Sequence, residues 1–219
     1  PVDLPELTGE SDTAIAPIVS SRKAASLLLR RWDKKYGKTA DMLVIEGPLA
    51  RGHLGFSPKQ LEDIPSLDYD QEIKEILEEK RLFEDKYGKA IPVVVGGGIT
   101  CRSQVRHVMD LGADGVQAAT RFVATKECDA ADAYKQAYIE ASAKDAVIIK
   151  SPVGMPGRAL QNAFIRRTQQ GQSPVSRCFH CIKNCSPAQI PYCITQALVN
   201  AVKGDLENGL IFCGAEVGS

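Results

Sequence analysis

The sequence predicts an α/β fold with a parallel sheet. Short apolar runs that match strands alternate with longer segments that have the 3.6-residue apolar period of amphipathic helices. The predicted strands are apolar on both faces, which is typical of a parallel sheet that is covered by helices and connected by right-handed crossovers. Four strands are predicted, at 14–19, 42–45, 91–95 and 115–118.

Amphipathic helices separate these strands, at 21–36, 71–87 and 103–111. Ser20 or Ser21 can cap the first helix, because a serine hydroxyl accepts a hydrogen bond from a free N–H of the first turn. The second helix is strongly charged, and its charges are interpreted as a solvated face. The packing stripes are Ala24, Leu27, Leu28 and Trp32 on the first helix and Ile73, Ile76, Leu77 and Leu82 on the second.

The pattern changes after the last predicted strand. Helices are predicted over 132–143 and 187–203, the latter interrupted near Pro191, with a short extended piece over 147–149. Residues 151–157 are rich in proline and glycine and are predicted to form a loop. The final GLIFCGAEVGS is small and apolar, which suits a segment lying across the mouth of a pocket. We therefore predict two parts: residues 1–145, and an extension over 146–219 that packs on them.

Composition restricts the possible partners. The 219 residues include 27 basic and 27 acidic side chains, so the chain lacks the basic surplus that general binding to nucleic acid or anionic membrane requires. No apolar run approaches the ~20 residues of a membrane span. The N-terminal PVDLPELTGES lacks the features of a signal peptide. We expect a cytoplasmic protein that keeps its seven cysteines reduced, acts on a small molecule, and binds neither nucleic acid nor membrane.

The glycine triplet Gly96 to Gly98 directly follows the apolar strand at 91–95 and precedes a helix. Glycines at this point let backbone N–H groups approach an anion, and the N-terminus of the helix adds a partial positive charge. A tight turn is an equal alternative for the triplet alone. The sequence thus indicates either a turn or a phosphate-binding loop.

Several spaced motifs carry a family resemblance. They are PVVVGGGI (92–99), LGADGVQ (111–117) followed by a small residue and TRF, IAPIVSS (15–21), EGPLARGHLGF (46–56) and SPVGMPGRALQNAFI (151–165). Together they resemble the nitronate monooxygenase family, formerly 2-nitropropane dioxygenases, whose members are FMN-dependent TIM barrels. The resemblance implies that this chain contains only the C-terminal four β/α units of a (β/α)8 barrel plus a helical, cysteine-containing extension. Preceding residues or another chain would then supply the N-terminal half, and a homo-oligomer is possible.

The resemblance also implies a set of site residues. His53, in RGH where the family usually has GGH, would be the catalytic acid–base group, with Arg51 replacing a glycine. Gly97, Gly98 and Thr120 would bind the FMN phosphate, beside Ala119, where the family usually has glycine. Gln117 and Ser20 would contact the flavin, although a strand-end polar residue and a helix cap explain them equally well. Arg158 is the one plausible ligand contact of the 154–160 loop.

A cysteine cluster lies within the extension. Cys178-x2-Cys181-x3-Cys185-x7-Cys193 has four thiols within sixteen residues, enough to bind zinc or an iron–sulfur cluster. The spacing matches neither a zinc ribbon nor a bacterial ferredoxin. Packed or redox-reactive thiols are the alternative reading.

The leading functional prediction is an FMN-dependent oxidoreductase, similar to nitronate monooxygenases, that oxidises nitronates or nitroalkanes with oxygen. A second possibility is an NAD(P)H-dependent flavin enzyme similar to the type II enoyl-acyl-carrier-protein reductases, which share these motifs. A third is a non-catalytic half-barrel or metal-binding partner subunit. No nucleotide-binding motif decides between the two enzymes.

Overall fold

The computed structural model describes residues 2–9, 11–171, 173, 175, 177–182 and 185–218. The chain forms two compact units, Pro1–Pro48 with Glu62–Gln117, and Leu49–Leu61 with Ala118–Ser219. The boundary predicted at 145/146 falls inside the second unit, and the two-part division over 1–145 and 146–219 stays a prediction.

The helices and strands follow one another in mixed order. They are α1 (Leu4–Thr8), β1 (Ile18–Val19), α2 (Arg22–Tyr36), β2 (Leu43–Glu46), β3 (Gly52–His53), α3 (Pro58–Glu62), α4 (Tyr69–Tyr87), β4 (Val93–Gly96), α5 (Arg102–Asp110), β5 (Gly115–Gln117), α6 (Thr120–Val123), α7 (Asp132–Glu140), β6 (Ala146–Lys150), β7 (Pro156–Leu160), α8 (Ala163–Gln170) and α9 (Ile194–Val202). Short 3-10 turns occur at Ile64–Ser66 and Ala143–Asp145.

The first unit contains the predicted parallel sheet. Its strand order is β1-β2-β4-β5, and every neighbouring pair is parallel. The α/β class is therefore confirmed. Within the described residues these four strands form an open sheet and not a closed barrel. None of the helices in the described ranges combines the length and apolar character that crossing a bilayer needs.

The two faces of this sheet differ in what covers them. Ile45 pairs with Val95, and both belong to the core that α2 and α4 cover through Leu29, Trp32 and Ile76. The opposite face presents the alternate residues, because successive side chains of a strand point to opposite sides. Ile18 on that face is 55% exposed at the edge strand β1. The strand predicted at 14–19 is shorter in the structure, where β1 covers Ile18–Val19 at the edge of the sheet.

Helix boundaries follow local capping. The Ser21 hydroxyl accepts a hydrogen bond from the N–H of Ala24, so Ser21 caps α2 and Ser20 does not. Asp68 caps α4 in the same way, and Gly88 ends it in the left-handed conformation.

The packing stripes differ in part from those predicted. Ala25 and Leu29 are buried on α2, whereas Leu27 is 66% exposed. On α4, Leu82 is 57% exposed, and the buried position is taken by Phe83. The predicted stripe of α2 was therefore wrong at two positions, Ala24 and Leu27, which are exposed, and that of α4 was wrong at one, Leu82.

One charge of α4 is not part of a solvated face. The Glu79 side chain is buried, and its carboxylate forms ion pairs with Arg30 at 3.2 Å and Arg22 at 3.6 Å. These residues lie in a groove of about 1050 Å3 between α2 and α4 that is lined mainly by charged side chains. The groove is lined by six lysines and arginines and three glutamates, so it carries charges of both signs with an excess of basic side chains.

The second unit contains a three-stranded antiparallel sheet that the sequence did not predict. Its order is β3-β7-β6, with Gly52 opposite Arg158 and His53 opposite Gly157. The loop predicted at 151–157 ends earlier in the structure, because β7 begins at Pro156. Proline at the first position of a strand needs no ladder N–H, so it is compatible with pairing.

The C-terminal segment lies in the core of the second unit. Leu210, Ile211 and Cys213 are buried within its two apolar clusters, and Phe212 bridges to Ala159. The α9 helix is shorter than predicted, since it begins only after Pro191, at Ile194. Proline lacks the N–H that a helix interior requires, which accounts for the late start.

Candidate functional site

Four residues of the first unit meet at the carboxyl-terminal edge of its parallel sheet. Glu46 pairs with Gly96, and Gly96 pairs with Gln117. Ser20 directly follows β1, whose pairing with β2 brings it level with Glu46. Paired residues of neighbouring strands project to the same face. We call Ser20, Glu46, Gly96 and Gln117 the strand-end row.

Gly96 leaves room for its neighbour in this row. A β-carbon at Gly96 would lie 3.0 Å from the Gln117 Oε1 atom and 3.2 Å from its Cβ atom. Contacts of this length are tighter than nine in ten contacts of real β-carbons, so glycine gives the Gln117 side chain room at the end of β4. Gln117 is otherwise exposed.

Tyr69 holds the ends of β1 and β2 together. Its hydroxyl donates a hydrogen bond of 2.8 Å to the Glu46 backbone oxygen and lies 3.5 Å from that of Ser20. Burial raises the pKa of Tyr69 above its usual range, so the hydroxyl remains a neutral donor. This contact, from the first residue of α4, fixes the position of the two strand ends.

Glu46 is the titratable member of the row. Its side chain is partly buried, and desolvation raises the pKa of its carboxyl group to about 7. The sequence analysis did not select Glu46. The available signal was its position at the end of an apolar run, two residues after Val44 and therefore on the same face of the strand.

Gly97 and Gly98 follow β4 as predicted, and both adopt positive φ angles of 100° and 77°. This region favours glycine, so the two positions are conformationally demanding. The Gln104 side-chain oxygen accepts from the backbone N–H groups of Thr100 (2.7 Å) and Cys101 (3.0 Å). The Gln104 side chain therefore satisfies the N–H groups of the two residues that precede α5, as in a capping box, and the glycines precede that cap.

Ala119 and Thr120 belong to the second unit. Thr120 begins the four-residue helix α6, and its hydroxyl oxygen lies 3.2 Å from where a β-carbon at Gly214 would stand. Ala119 has a φ of −133°, so its methyl group causes no backbone strain. The glycine usual in the family is not needed here for backbone conformation.

His53 lies on β3 of the second unit, in contact with a buried serine. Its Nε2 atom is 2.7 Å from the Ser151 hydroxyl oxygen, and Ser151 is only 3% exposed. The Phe212 ring packs edge-on against the imidazole, with ring centroids 5.1 Å apart. Burial lowers the pKa of His53, which favours the neutral imidazole. A neutral, oriented imidazole is suited to accept a proton.

Arg158 supports the loop that leads to His53. The buried guanidinium donates a hydrogen bond of 2.6 Å to the backbone oxygen of Ala50. Arg158 also lies opposite Gly52 in the pairing of β3 with β7. Both contacts hold the 50–53 segment in place, so within this unit Arg158 is a positioning residue for His53.

Comparisons with known proteins decide the family. The profile of the nitronate monooxygenase family matches residues 4–219, almost the whole chain. The chain belongs to the nitronate monooxygenase family. A probable nitronate monooxygenase from Staphylococcus saprophyticus is 30% identical over 131 residues, which is 59% of this chain and 34% of that relative.

Two solved structures are similar to the chain in fold. FabK from Thermotoga maritima is 27% identical, with a TM-score of 0.70, over 100% of this chain and 58% of that one. A nitroalkane oxidase from Streptomyces ansochromogenes has the same fold, with 22% identity and a TM-score of 0.64 over 94% of this chain and 52% of its own. The chain spans about a third of the curated relative and just over half of these two structures.

All seven cysteines of the chain are free thiols. Cys178 accepts a hydrogen bond from the N–H of His180, and Cys181 accepts one of 2.9 Å from the Thr195 hydroxyl. Burial, and then the neighbouring thiols of Cys178, Cys181 and Cys193, raise the pKa of Cys185. Among the residues that the structure describes, which include all four thiols, no group of three or more ligands is arranged to hold a metal ion.

The predicted site residues are thus divided between the two units. Ser20, Gly97, Gly98 and Gln117 lie along one edge of the first sheet, and His53 lies in the second unit with Ala119 and Thr120. The sequence did not indicate Glu46, Tyr69 or Ser151 as site residues. Arg158 was predicted as a ligand contact, and its positioning role was not predicted. Ser151 was missed because it is 98 residues from His53, and sequence spacing carries no signal for such a contact.

Proposed function

We propose that this chain is part of a flavin-dependent oxidoreductase that binds FMN at the carboxyl-terminal edge of the sheet β1-β2-β4-β5. The strand-end row carries the proposal, because three polar side chains and a glycine meet beside the Gly97–Gly98 turn. Parallel α/β sheets bind ligands beyond the carboxyl ends of their strands. Membership of the nitronate monooxygenase family supports a flavin as that ligand.

The first unit fits an FMN phosphate at its glycine turn. The positive φ angles of Gly97 and Gly98 leave backbone without side chains between β4 and α5, which permits close approach of an anion. In our proposal Gly97 and Gly98 bind the phosphate with Thr120, beside Ala119, while Ser20 and Gln117 contact the rest of the flavin. The flavin supplies the redox chemistry when it is bound.

His53 is proposed as the acid–base residue. Its lowered pKa keeps the imidazole neutral at physiological pH, so it can take a proton from a carbon or nitrogen acid of the substrate. Ser151 orients the ring through Nε2, and Arg158 holds the preceding loop. The departure at Arg51 alters the charge beside this residue without changing the position of His53 in its motif.

The substrate class follows from the family. We propose a nitronate or nitroalkane, oxidised with oxygen as acceptor. NAD(P)H-dependent reduction of an enoyl-acyl-carrier-protein is the second candidate, favoured by the TM-score of 0.70 to FabK from Thermotoga maritima over the whole of this chain. A non-catalytic partner subunit is the third, and it predicts a protein without stoichiometric flavin.

We further propose that additional parallel strands complete the sheet of the first unit into a (β/α)8 barrel. β1 is an edge strand of two residues, and Ile18 on it is largely exposed. Unpaired edges and exposed apolar faces favour association with further strands. These would come from other residues of the same protein or from another chain, including a second copy of this one.

One experiment separates the three functions. The visible spectrum of the purified protein reports whether oxidised flavin is bound. Anaerobic mixing with a nitronate and, separately, with NADH or NADPH then shows which of them bleaches the flavin absorbance. Bleaching by the nitronate supports the oxygenase, bleaching by the nucleotide supports the reductase, and protein that lacks flavin contradicts both enzymes.

Metal binding by the cysteine cluster stays a separate proposal. Four thiolates would have to converge at about 2.3 Å from one ion. Elemental analysis of protein made without a histidine tag would then find about one zinc, or several irons, per chain. Metal below a tenth of the protein concentration would favour packed or redox-reactive thiols.

A further inference from the structure

The hydroxyl group of Tyr192 is a buried polar group that no step of the proposed reaction uses. Tyr192 is only 3% exposed, and its ring packs edge-on against Phe164, with ring centroids 5.1 Å apart. Its hydroxyl oxygen has no hydrogen bond of standard length and angle among the described residues. Buried polar groups in proteins are nearly always hydrogen-bonded, so an exception needs a physical reason.

Ser151 is the side chain that reaches this hydroxyl. The Ser151 hydroxyl is a hydrogen-bond partner of the Tyr192 side chain, in a looser geometry than its 2.7 Å contact with His53 Nε2. Hydrogen bonds of catalytic groups are often long or poorly aligned before a ligand binds. Ser151 directly follows β6, Tyr192 lies just before α9, and both belong to the second unit with His53. Within this unit Ser151 therefore connects His53 to Tyr192, and we call the three residues the triad.

The number of protons in the triad fixes the direction of its hydrogen bonds. A serine hydroxyl can donate one hydrogen bond and accept two. The Val153 N–H donates to the Ser151 oxygen at 3.4 Å. In the proposed reaction His53 takes a proton from the substrate, and Nδ1 is the nitrogen left for this, because Ser151 occupies Nε2. A free lone pair on Nδ1 puts the imidazole proton on Nε2, which then donates to Ser151.

Ser151 must then donate its own proton to a different acceptor. Its two acceptor positions are filled by the Val153 N–H and the Nε2–H of His53, so among the described residues the Tyr192 oxygen is the partner that remains. Burial raises the pKa of Tyr192 to about 12, and the Ser151 hydrogen bond opposes this rise, as a donor to the phenol oxygen does. Without this acceptor the Ser151 proton would turn to Nε2, and the imidazole proton would move to Nδ1. That tautomer has no free lone pair for the substrate proton.

We propose that Tyr192 is a positioning residue for His53, and that its hydroxyl oxygen accepts the Ser151 proton and so holds the neutral imidazole with its proton on Nε2. This inference rests on the proposed function and adds to it the residue that sets the tautomer of its base. It also gives a reason for the buried hydroxyl, which serves as the terminal acceptor of a hydrogen-bonded line that begins at His53.

A double-mutant cycle tests whether Tyr192 acts through Ser151. Tyr192→Phe keeps the ring and its packing on Phe164 and removes the oxygen. We expect it to lower kcat about tenfold with KM within a few-fold of the parent, because the change affects proton transfer and not binding. In the Ser151→Ala background the same change should alter kcat less than about twofold, since its effect passes through Ser151. Tyr36→Phe, which removes a hydroxyl that bonds Glu6 in the first unit, is the matched control and should retain the parental kcat.

Nitrogen NMR of the flavin-free full-length protein, labelled with 15N-histidine, measures the tautomer without turnover. At about pH 8, where His53 is neutral, the parent should show a protonated Nε2 and a free Nδ1 in the resonances that His53→Asn lacks. Tyr192→Phe should move this proton to Nδ1 in a large part of the molecules.

Three results would overturn the inference: a parent with its proton on Nδ1, a Tyr192→Phe variant with the parental tautomer, or additive effects of Ser151→Ala and Tyr192→Phe on kcat. Absence of turnover by the parent with either candidate substrate would instead overturn the proposed function, on which the NMR measurement does not depend.

Discussion

The two units place functional residues in different ways. In the first unit, each candidate follows a parallel strand, and the common direction of the strands brings Ser20, Glu46 and Gln117 to one edge. In the second unit, His53 acquires its surroundings through antiparallel pairing with a strand about 100 residues later in the chain. The first arrangement is a consequence of periodicity, whereas the second depends on tertiary contacts. Mutations should therefore affect ligand binding in the first unit and proton transfer in the second.

The largest expected effect comes from His53. We expect His53→Asn to lower turnover about 100-fold or more while the flavin spectrum is unchanged, because a positioned acid–base group contributes on this scale. Steady-state kinetics and the visible spectrum measure the two properties. His107→Asn is the control, since His107 is an exposed residue paired with Asp70. Turnover of His53→Asn within a few-fold of the parent would show that the family role does not extend to the RGH motif.

A large effect on binding is expected from Gly98. Its φ of 77° is strained for any residue with a β-carbon, so Gly98→Val should weaken FMN binding about tenfold or more. Fluorescence quenching measures the affinity, and circular dichroism checks that the fold is retained. Gly171→Val is the matched control, because Gly171 has extended backbone and open space at its β-carbon position. Equal affinities of Gly98→Val and the parent would exclude the glycine turn from the phosphate site.

These two sites also differ in how far the sequence predicted them. The parallel sheet and the Gly97–Gly98 turn were predictable, because an apolar strand followed by glycines and a helix is a local pattern. Residues 151–160 were not, because their glycines and prolines match a loop equally well, and only pairing with β3 makes them a strand. Ser151 and Arg158 therefore acquired their positioning roles only in the structure. The alternation of side chains along β2 places Glu46 on the same face as Val44, and this could be read from the sequence. The partial burial of Glu46 could not.

A smaller effect is expected from Ser151. Removal of its hydroxyl leaves His53 without its Nε2 partner, so Ser151→Ala should lower kcat about tenfold through loss of orientation. The pH profile checks the role of the imidazole. Because the pKa of His53 is lowered, turnover should rise with pH below 6.5 and reach a plateau above it.

The Ser151→Ala variant should lower this plateau and leave KM within a few-fold of the parent. Ser66→Ala removes an exposed hydroxyl that bonds within its own turn, and it serves as the control. An unchanged plateau in Ser151→Ala, with FMN still bound, would reduce Ser151 to a packing role.

The smallest expected effect concerns stability in the first unit. The folded protein holds the proton of Glu46 up to about pH 7, whereas the usual value is 4.5. The fold is therefore favoured by this group below pH 4.5, and that advantage is lost as pH rises through 7. Because Glu46 is partly solvated, we expect a difference of only about 1 kcal/mol after allowing for solvent screening.

Glu46→Gln removes this dependence, so the flavin-free variant should gain stability relative to the parent at pH 8 compared with pH 5. Urea unfolding at the two pH values measures the change, and groups other than Glu46 cancel in the difference between variant and parent. Glu78→Gln should show no such pH-dependent gain, because Glu78 is exposed on α4. If Glu46→Gln shifts the free energy of unfolding equally at both pH values, the Glu46 carboxyl group is not desolvated in the free protein. The carboxyl end of β2 would then be as open to solvent as an ordinary surface position.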